Sequence, residues 1–156
     1  MACLITAGAD AAAYRLQQIL DQNSIFYFGD YLPLPDYSSP RKKFIQIPEG
    51  RSSSFAHELL ALCLDKDIKA IYPLRRAELM PLAEAKQLFT EYGIKIFVPD
   101  KDLLPILPLM SGTLCQLAVI LEGEVVFGVA AEILPTSTGV FCVVQGTSTS
   151  SLFIAG

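Results

Sequence analysis

The last third of the chain lacks positive charge altogether. Residues 1–102 hold all twelve lysine and arginine residues, whereas residues 103–156 hold none and carry only Glu122, Glu124 and Glu132. A segment this poor in charge is hard to keep in solution by itself. We therefore expect residues 103–156 to pack against residues 1–102 or against another chain.

Further absences restrict the class of protein. No apolar run reaches the roughly 18 residues that a bilayer-spanning helix needs. The first residues, MACLIT, lack the basic segment of a secretory signal. The net charge of −4 disfavours a nucleic-acid binder built on a basic patch. We expect a cytoplasmic protein that binds neither nucleic acid nor membranes.

Residues that carry chemistry are few and widely spaced. The four cysteines, Cys3, Cys63, Cys115 and Cys142, form no CxxC pair, which excludes zinc-ribbon and thioredoxin motifs. We expect free, buried thiols in a reducing compartment, and the absence of a signal argues against a Cys115–Cys142 disulfide.

With His57 as the one histidine, a Ser-His-Asp or Cys-His hydrolase has little support. No HExxH motif, Walker A motif or metal-ligand spacing occurs.

The first two thirds of the chain alternate between strand and helix patterns. Short apolar strands between amphipathic helices are typical of a parallel sheet that is covered on both faces. We predict an α/β fold with a Rossmann-like parallel sheet and helices on both faces. The predicted strands are residues 3–6, 25–28, 44–47, 69–72 and 94–98, and the predicted helices are residues 11–22, 55–65 and 82–92, with Pro81 in or before the first turn of the last helix.

The pattern changes after Asp102. Prolines interrupt the apolar run at 103–109, and strand patterns at 114–121, 125–131 and 140–144 follow, with a hairpin turn at 122–124. We predict a small antiparallel β-meander. The chain then divides into an α/β domain at 1–102 and a β-rich extension at 103–156. Because the extension is apolar, we expect a homo-oligomer joined through this sheet.

Candidate binding residues follow from the position of the strands. Ligands of parallel α/β sheets bind outside the carboxyl ends of the strands. Gly8 and Asp10 follow the first strand, Asp30 follows the second, and Arg75 follows the fourth, while Arg15 on the first helix could reach the same edge. The two arginines could bind an anion or pair with nearby acids. The same edge also receives Glu49, Gly50, Arg51, Arg76 and Asp100.

The turn after the first strand allows two interpretations. Gly8 would let a phosphate approach the backbone at a helix N-terminus, and Asp30 follows Gly8 by twenty-two residues, about where a ribose-binding acid lies in dinucleotide folds. Only one glycine of GxGxxG is present, however, and Asp10 places negative charge where a pyrophosphate would need room. The alternative is an ordinary turn in which Asp10 caps the helix.

Several segments together carry a family resemblance. They are Leu4–Gly8 with Ala13–Arg15, Phe28–Asp30, Ile71–Pro73 followed by an arginine, and Gly93–Ile94 leading to Phe97–Asp100. These segments resemble the pre-ATP-grasp domain, the Rossmann-like N-terminal module of ATP-grasp ligases, including carbamoyl-phosphate-synthase-like proteins. The resemblance implies a module that contributes to a substrate cleft. In that family the following domain holds the nucleotide and its magnesium.

The lack of lysine and arginine in the extension limits the function that this resemblance implies for the chain. Phosphoryl transfer needs several cations to offset the triphosphate charge, and residues 103–156 supply none, so no ATP or metal ligand is carried over. We predict a non-catalytic pre-ATP-grasp-like module that binds a small anionic or nucleotide-like ligand, such as ATP, or a partner ATP-grasp protein. A split ATP-grasp ligase completed by another chain and a structural homodimer remain the alternatives.

Overall fold

The computed structural model describes residues 1–112, 115–130, 137–144 and 150–156. Its first two thirds contain a five-stranded parallel sheet with the strand order β3-β2-β1-β4-β5. The predicted α/β fold with a Rossmann-like parallel sheet is confirmed. Its strands are β1 (Ala2–Ile5), β2 (Ile25–Asp30), β3 (Lys42–Gln46), β4 (Ile68–Tyr72) and β5 (Lys95–Ile96), and its helices are α1 (Ala11–Gln17), α2 (Phe55–Asp65) and α3 (Arg76–Glu91).

Helices cover both faces of this sheet, as predicted. Side chains alternate between the two faces along a strand. Leu4 of β1 belongs to one apolar core with Leu59 of α2 and Leu82 of α3. The next residue, Ile5, belongs to a second core with Leu16 of α1. Helix α1 therefore lies on one face of the sheet, and α2 and α3 lie on the other.

Helix α3 begins at Arg76 rather than at residue 82, and Pro81 lies inside it. The expectation that Pro81 would lie in or before the first turn was wrong. The missing N–H of Pro81 removes a hydrogen bond to Ala77, four residues earlier. The α3 side chains of Leu79, Leu82 and Phe89 are buried in the core. This apolar contact stabilises the helix on both sides of the proline.

The last third of the chain forms a five-stranded mixed sheet with the strand order β6-β10-β9-β7-β8. In the predicted meander the last strand would pair with the strand before it, but β9 pairs with β7 and leaves β8 at the edge. This arrangement buries β9, while β8 stays largely exposed. Residue 114 of the first predicted strand of this region and residue 131 of the second lie outside the described residues. The strands are β6 (Leu109–Met110), β7 (Gln116–Leu121), β8 (Glu124–Gly128), β9 (Gly139–Val143) and β10 (Ser150–Phe153).

The second sheet packs against the first, and its inner strand β7 is buried on both faces. Leu117 and Val119 of β7 belong to the same core as Tyr72 of the first sheet. The alternate residues Ala118 and Ile120 face the other core. Helix α1 and the second sheet thus cover the same face of the parallel sheet. No helix within the described ranges is long and apolar enough to cross a bilayer.

Cys115 and Cys142 form a disulfide with a Cα–Cα distance of 5.4 Å. The expectation that all four cysteines are free thiols was therefore wrong for this pair. Cys142 lies opposite Leu117, two residues beyond Cys115, so strand pairing brings the two sulfurs together. Cys3 and Cys63 are free and buried, and burial raises the pKa of each thiol to about 12.

We expect alkylation of the denatured, unreduced chain to label two cysteines, Cys3 and Cys63, and to label all four after reduction. Reduction should also lower the free energy of unfolding by about 2–4 kcal/mol, because the crosslink restricts the unfolded chain. Mass spectrometry and denaturant titration measure the two effects. Labelling of four cysteines without reduction would contradict the pairing.

Candidate functional site

The connections at the carboxyl ends of β1 and β4 leave the sheet on opposite faces. β1 continues into α1 and β4 continues into α3, so the sheet has its topological switch point between these strands, where α/β folds bind ligands. The buried hydroxyl of Thr6 joins the two strand ends by accepting a hydrogen bond of 2.7 Å from the N–H of Leu74.

A salt bridge between Asp30 and Arg75 lies at this point. The guanidinium donates from Nε to Oδ1 at 3.1 Å and from Nη2 to Oδ2 at 2.8 Å. The N–H groups of Ala9 and Leu32 donate to the same carboxylate at 3.1 and 3.3 Å. Asp30 is fully buried. Burial works to raise the pKa of Asp30, but the guanidinium and the two amides outweigh it and leave the pKa below its ordinary value.

The aromatic ring of Tyr31 holds Arg75 from another side. The guanidinium carbon lies 5.3 Å from the ring centroid, within the range of a cation–π contact. The hydrogen bond with Asp30 raises the pKa of Arg75 above its ordinary value. Two predicted site residues, Asp30 and Arg75, therefore meet, and each orients the other.

At the turn after β1, the backbone of β2 occupies the space next to Gly8 and accepts the hydrogen bond of its amide. The N–H of Gly8 donates to the carbonyl of Gly29 at 2.9 Å. A Cβ at Gly8 would lie 2.8 Å from the carbonyl carbon of Phe28. Glycine is thus required for the close approach of β1 to β2, and this amide is not free for a phosphate.

Asp10 acts as the helix cap. Its Oδ1 accepts a hydrogen bond of 2.8 Å from the N–H of Ala12, at the start of a helix of seven residues. The N–H of Ala9 donates to the carboxylate of Asp30. The amides of Ala9 and Ala12 are therefore both bound to carboxylates of the protein itself. Of the two interpretations of the turn, the geometry matches the ordinary capped one.

Arg15 is turned away from the switch point. Its guanidinium donates to the carbonyl oxygens of Gly112 and Cys115 and lies 5.5 Å from the ring centroid of Phe153. Arg15 therefore ties α1 to the second sheet. Sequence alone could not reveal this role, since the partners lie about a hundred residues away.

A cavity of about 220 Å³ opens beside the Asp30–Arg75 pair. We call it the crest cavity. The loop after β3, the first turn of α3 and the last residues of the described chain enclose it, and the N–H of Ala155 donates to the carbonyl of Leu74 at 2.7 Å. Its lining residues are Tyr31, Glu49, Gly50, Arg51, Arg75, Arg76, Ala77, Glu78 and Ala155.

Glu78 is the functional candidate that sequence reasoning missed. It is 1 % exposed, and neither carboxylate oxygen has a hydrogen-bond partner of normal geometry. Burial raises the pKa of Glu78 to about 7, although the Thr6 hydroxyl and the Arg75 amide work against this shift. Gly50 closes over it, since a Cβ there would lie 2.9 Å from Glu78 Cγ. One feature of the sequence could have pointed to Glu78: it is an acidic residue in the first turn of a helix, three residues after Arg75.

Two arginines at the mouth of the crest cavity have no partner in the described part of the chain. Arg51 and Arg76 are exposed, and their side chains make no ion pair or hydrogen bond there. Glu49 is the one exposed acid on the lining. Asp100, at the end of the fifth strand, lies elsewhere and pairs with Lys86 at 3.3 Å. The mouth is therefore positively charged.

No protein-family model matches this chain, and no curated protein matches it. Among residues 1–112, 115–130, 137–144 and 150–156, no group of three or more histidine, cysteine, aspartate or glutamate side chains could hold a metal ion. The chemistry that the site can perform therefore has to follow from its own side chains.

Replacing Arg75 by alanine should destabilise the protein by about 3–5 kcal/mol, because the change leaves the Asp30 carboxylate buried without its cation. The control is Lys69→Ala, which removes an exposed ion pair of 3.1 Å with Asp67 and should change stability little. Urea denaturation measures both variants. If both substitutions lowered the free energy of unfolding equally, the buried pair would stabilise the protein no more than the exposed pair does.

Glu78 should make stability depend on pH between about 4.5 and 7, its ordinary and folded-state pKa values. Because folding raises the pKa of Glu78, the folded state binds this proton more tightly, and stability is lost as the pH rises through that window. Relative to Glu78→Gln, the wild type should lose about 3 kcal/mol across it. The lowered pKa of Asp30 acts at lower pH.

The measurement is the free energy of unfolding of both proteins at several pH values. Subtracting the Glu78→Gln curve cancels groups that the two proteins share. Parallel curves would contradict the assigned role of Glu78.

Proposed function

We propose that the chain is a non-catalytic binding module for a small organic or inorganic anion, which occupies the crest cavity. The observation that carries the proposal is the pair of unpartnered guanidiniums, Arg51 and Arg76, at a cavity beside the switch point of a parallel sheet. Arginine binds carboxylate and phosphate oxygens through paired N–H groups. Arg75 orients the rim but is already committed to Asp30.

The start of α3 adds donors to this arrangement. The N–H groups of Arg76 and Ala77 are at the first turn of a sixteen-residue helix, where backbone donors have no partner within the helix and favour an anion. The neighbouring Glu78 does not oppose this strongly, because its raised pKa of about 7 leaves much of it uncharged near neutral pH. Glu49 remains the one exposed negative charge on the lining.

The size of the cavity favours a small ligand over a nucleotide. Its volume of about 220 Å³ lies below the roughly 300–1,000 Å³ of pockets that enclose drug-sized molecules. The amides at Gly8, where a pyrophosphate would bind, are used by the chain. We therefore narrow the predicted small anionic or nucleotide-like ligand to a small anion.

The other functions considered from the sequence remain predictions. A partner ATP-grasp protein and a split ligase depend on the family resemblance, which supplies no ligand of ATP or metal. The homo-oligomer has one observation in its favour, since the edge strand β8 exposes Val125 and Val126. Exposed edge strands pair readily with other chains.

The experiment is a thermal-unfolding screen of the whole chain with inorganic phosphate, sulfate, malate and citrate, followed by calorimetry on any anion that stabilises it. Saturation at a hundred times Kd should stabilise the folded state by about 2.7 kcal/mol. The stabilisation should disappear in the double variant Arg51→Gln with Arg76→Gln, which keeps the fold because both side chains are exposed.

Arg41→Gln is the matched control. Arg41 is also an exposed arginine, but it precedes β3 at the amino end of the sheet and donates to the carbonyl of Gln22. This variant should respond to anions as the wild type does. An anion effect that survives in the double variant, or the absence of any anion effect in the wild type, would refute the proposed function.

A further inference from the structure

A second cavity lies between the edge of the first sheet and the β7–β8 hairpin. We call it the lateral cavity. Its volume is about 350 Å³, and it shares no lining residue with the crest cavity. Tyr72 and Phe97 lie on one side, with their rings stacked at a centroid distance of 4.6 Å. Leu121, Val126 and Phe127 of the hairpin lie on the other. The cavity is therefore mainly apolar, with two aromatic rings on one wall.

The space arises from small residues beside large ones. Ala70 is the register partner of Lys95 and lies two residues before Tyr72, so both side chains of β4 point to the same face of the sheet. Its methyl group leaves the space that a larger side chain would fill. Gly93, before β5, also lines the cavity, and no atom lies within 4 Å of the position of its missing Cβ.

All charged side chains on the lining are positive. Lys69 and Lys95 line the cavity, and no aspartate or glutamate does. The ammonium of Lys69 is held 3.1 Å from Asp67. The side chain of Lys95 makes no ion pair or hydrogen bond in the part of the chain that the structure describes, and the residue is exposed. The lateral cavity thus combines apolar walls with one unpaired lysine side chain at its rim.

We infer that the lateral cavity binds an amphipathic organic anion, whose apolar body lies against Tyr72 and Phe97 and whose carboxylate pairs with Lys95. Ligand sites are mostly apolar and use a few placed polar groups to orient the ligand, which is the combination found here. A medium-chain fatty acid and an arylalkanoate share this chemistry. The inference is independent of the proposed function, because the two cavities share no residue.

The test is calorimetric titration of the whole chain with octanoate, 4-phenylbutanoate and the neutral analogue octanol. Octanoate should bind more tightly than octanol. Lys95→Gln should weaken binding of the two acids about threefold to fivefold, the upper part of the range for an exposed ion pair, and should leave octanol unchanged. The relative affinities of octanoate and 4-phenylbutanoate distinguish an alkyl from an aromatic ligand.

Two further variants control the experiment. Lys42→Gln makes the same charge change on β3, the opposite edge strand of the sheet, and should bind like the wild type. Val126→Asp puts a charge on the hairpin wall at a position that is 40 % exposed, and it should weaken all three ligands. Circular dichroism checks that each variant is folded.

Three results would overturn the inference. The first is that neither acid binds the wild type at millimolar concentration. The second is that Lys95→Gln and Lys42→Gln bind the acids equally well. The third is a dimer in sedimentation velocity that Val126→Asp dissociates and that neither acid competes with, which would assign this face to a second copy of the chain.

Discussion

The buried carboxylate of Asp30 is the constraint on which the crest of this protein depends. A carboxylate that is fully buried must be matched by a cation and by donors. The chain meets this demand with Arg75 at the start of α3 and with the amides of Ala9 and Leu32. Because these donors come from the ends of β1, β2 and β4, one side chain holds three connections in register. The position of α3, and with it the crest cavity, follows from that arrangement.

Arginines near the carboxyl ends of the strands fall into two groups, those that bind other groups of the protein and those whose guanidiniums remain free. Arg75 is committed to Asp30, and Arg15 is committed to carbonyl oxygens next to the second sheet. Only Arg51 and Arg76 keep unpaired guanidiniums at the crest within the described residues. The buried Glu78 lies beneath them with a raised pKa. The proposed anion site therefore depends on Arg51 and Arg76. Most of the leading candidates at the strand ends have structural roles instead.

The scarcity of charge in residues 103–156 has a structural explanation in the second sheet. Both faces of β7 are buried, one against the first sheet and one against the other core. A strand buried on both faces has no solvent-facing positions that need charge. The exposed edge is β8, and there the chain carries Glu124 beside two valines. The apolar space between this hairpin and β5 is the lateral cavity.

The order of strands and helices in residues 1–102 was determined by the sequence itself, because apolar periodicity and the proline and glycine breaks are local signals. The predicted strands begin and end within a few residues of the observed ones, and Asp30 and Arg75 meet as strand-end residues. Local signals could not identify the partners of Arg15, the burial of Glu78, the Cys115–Cys142 pairing or the attachment of β9 to β7. Each of these joins residues distant in sequence, so only the packing of the two sheets decided them.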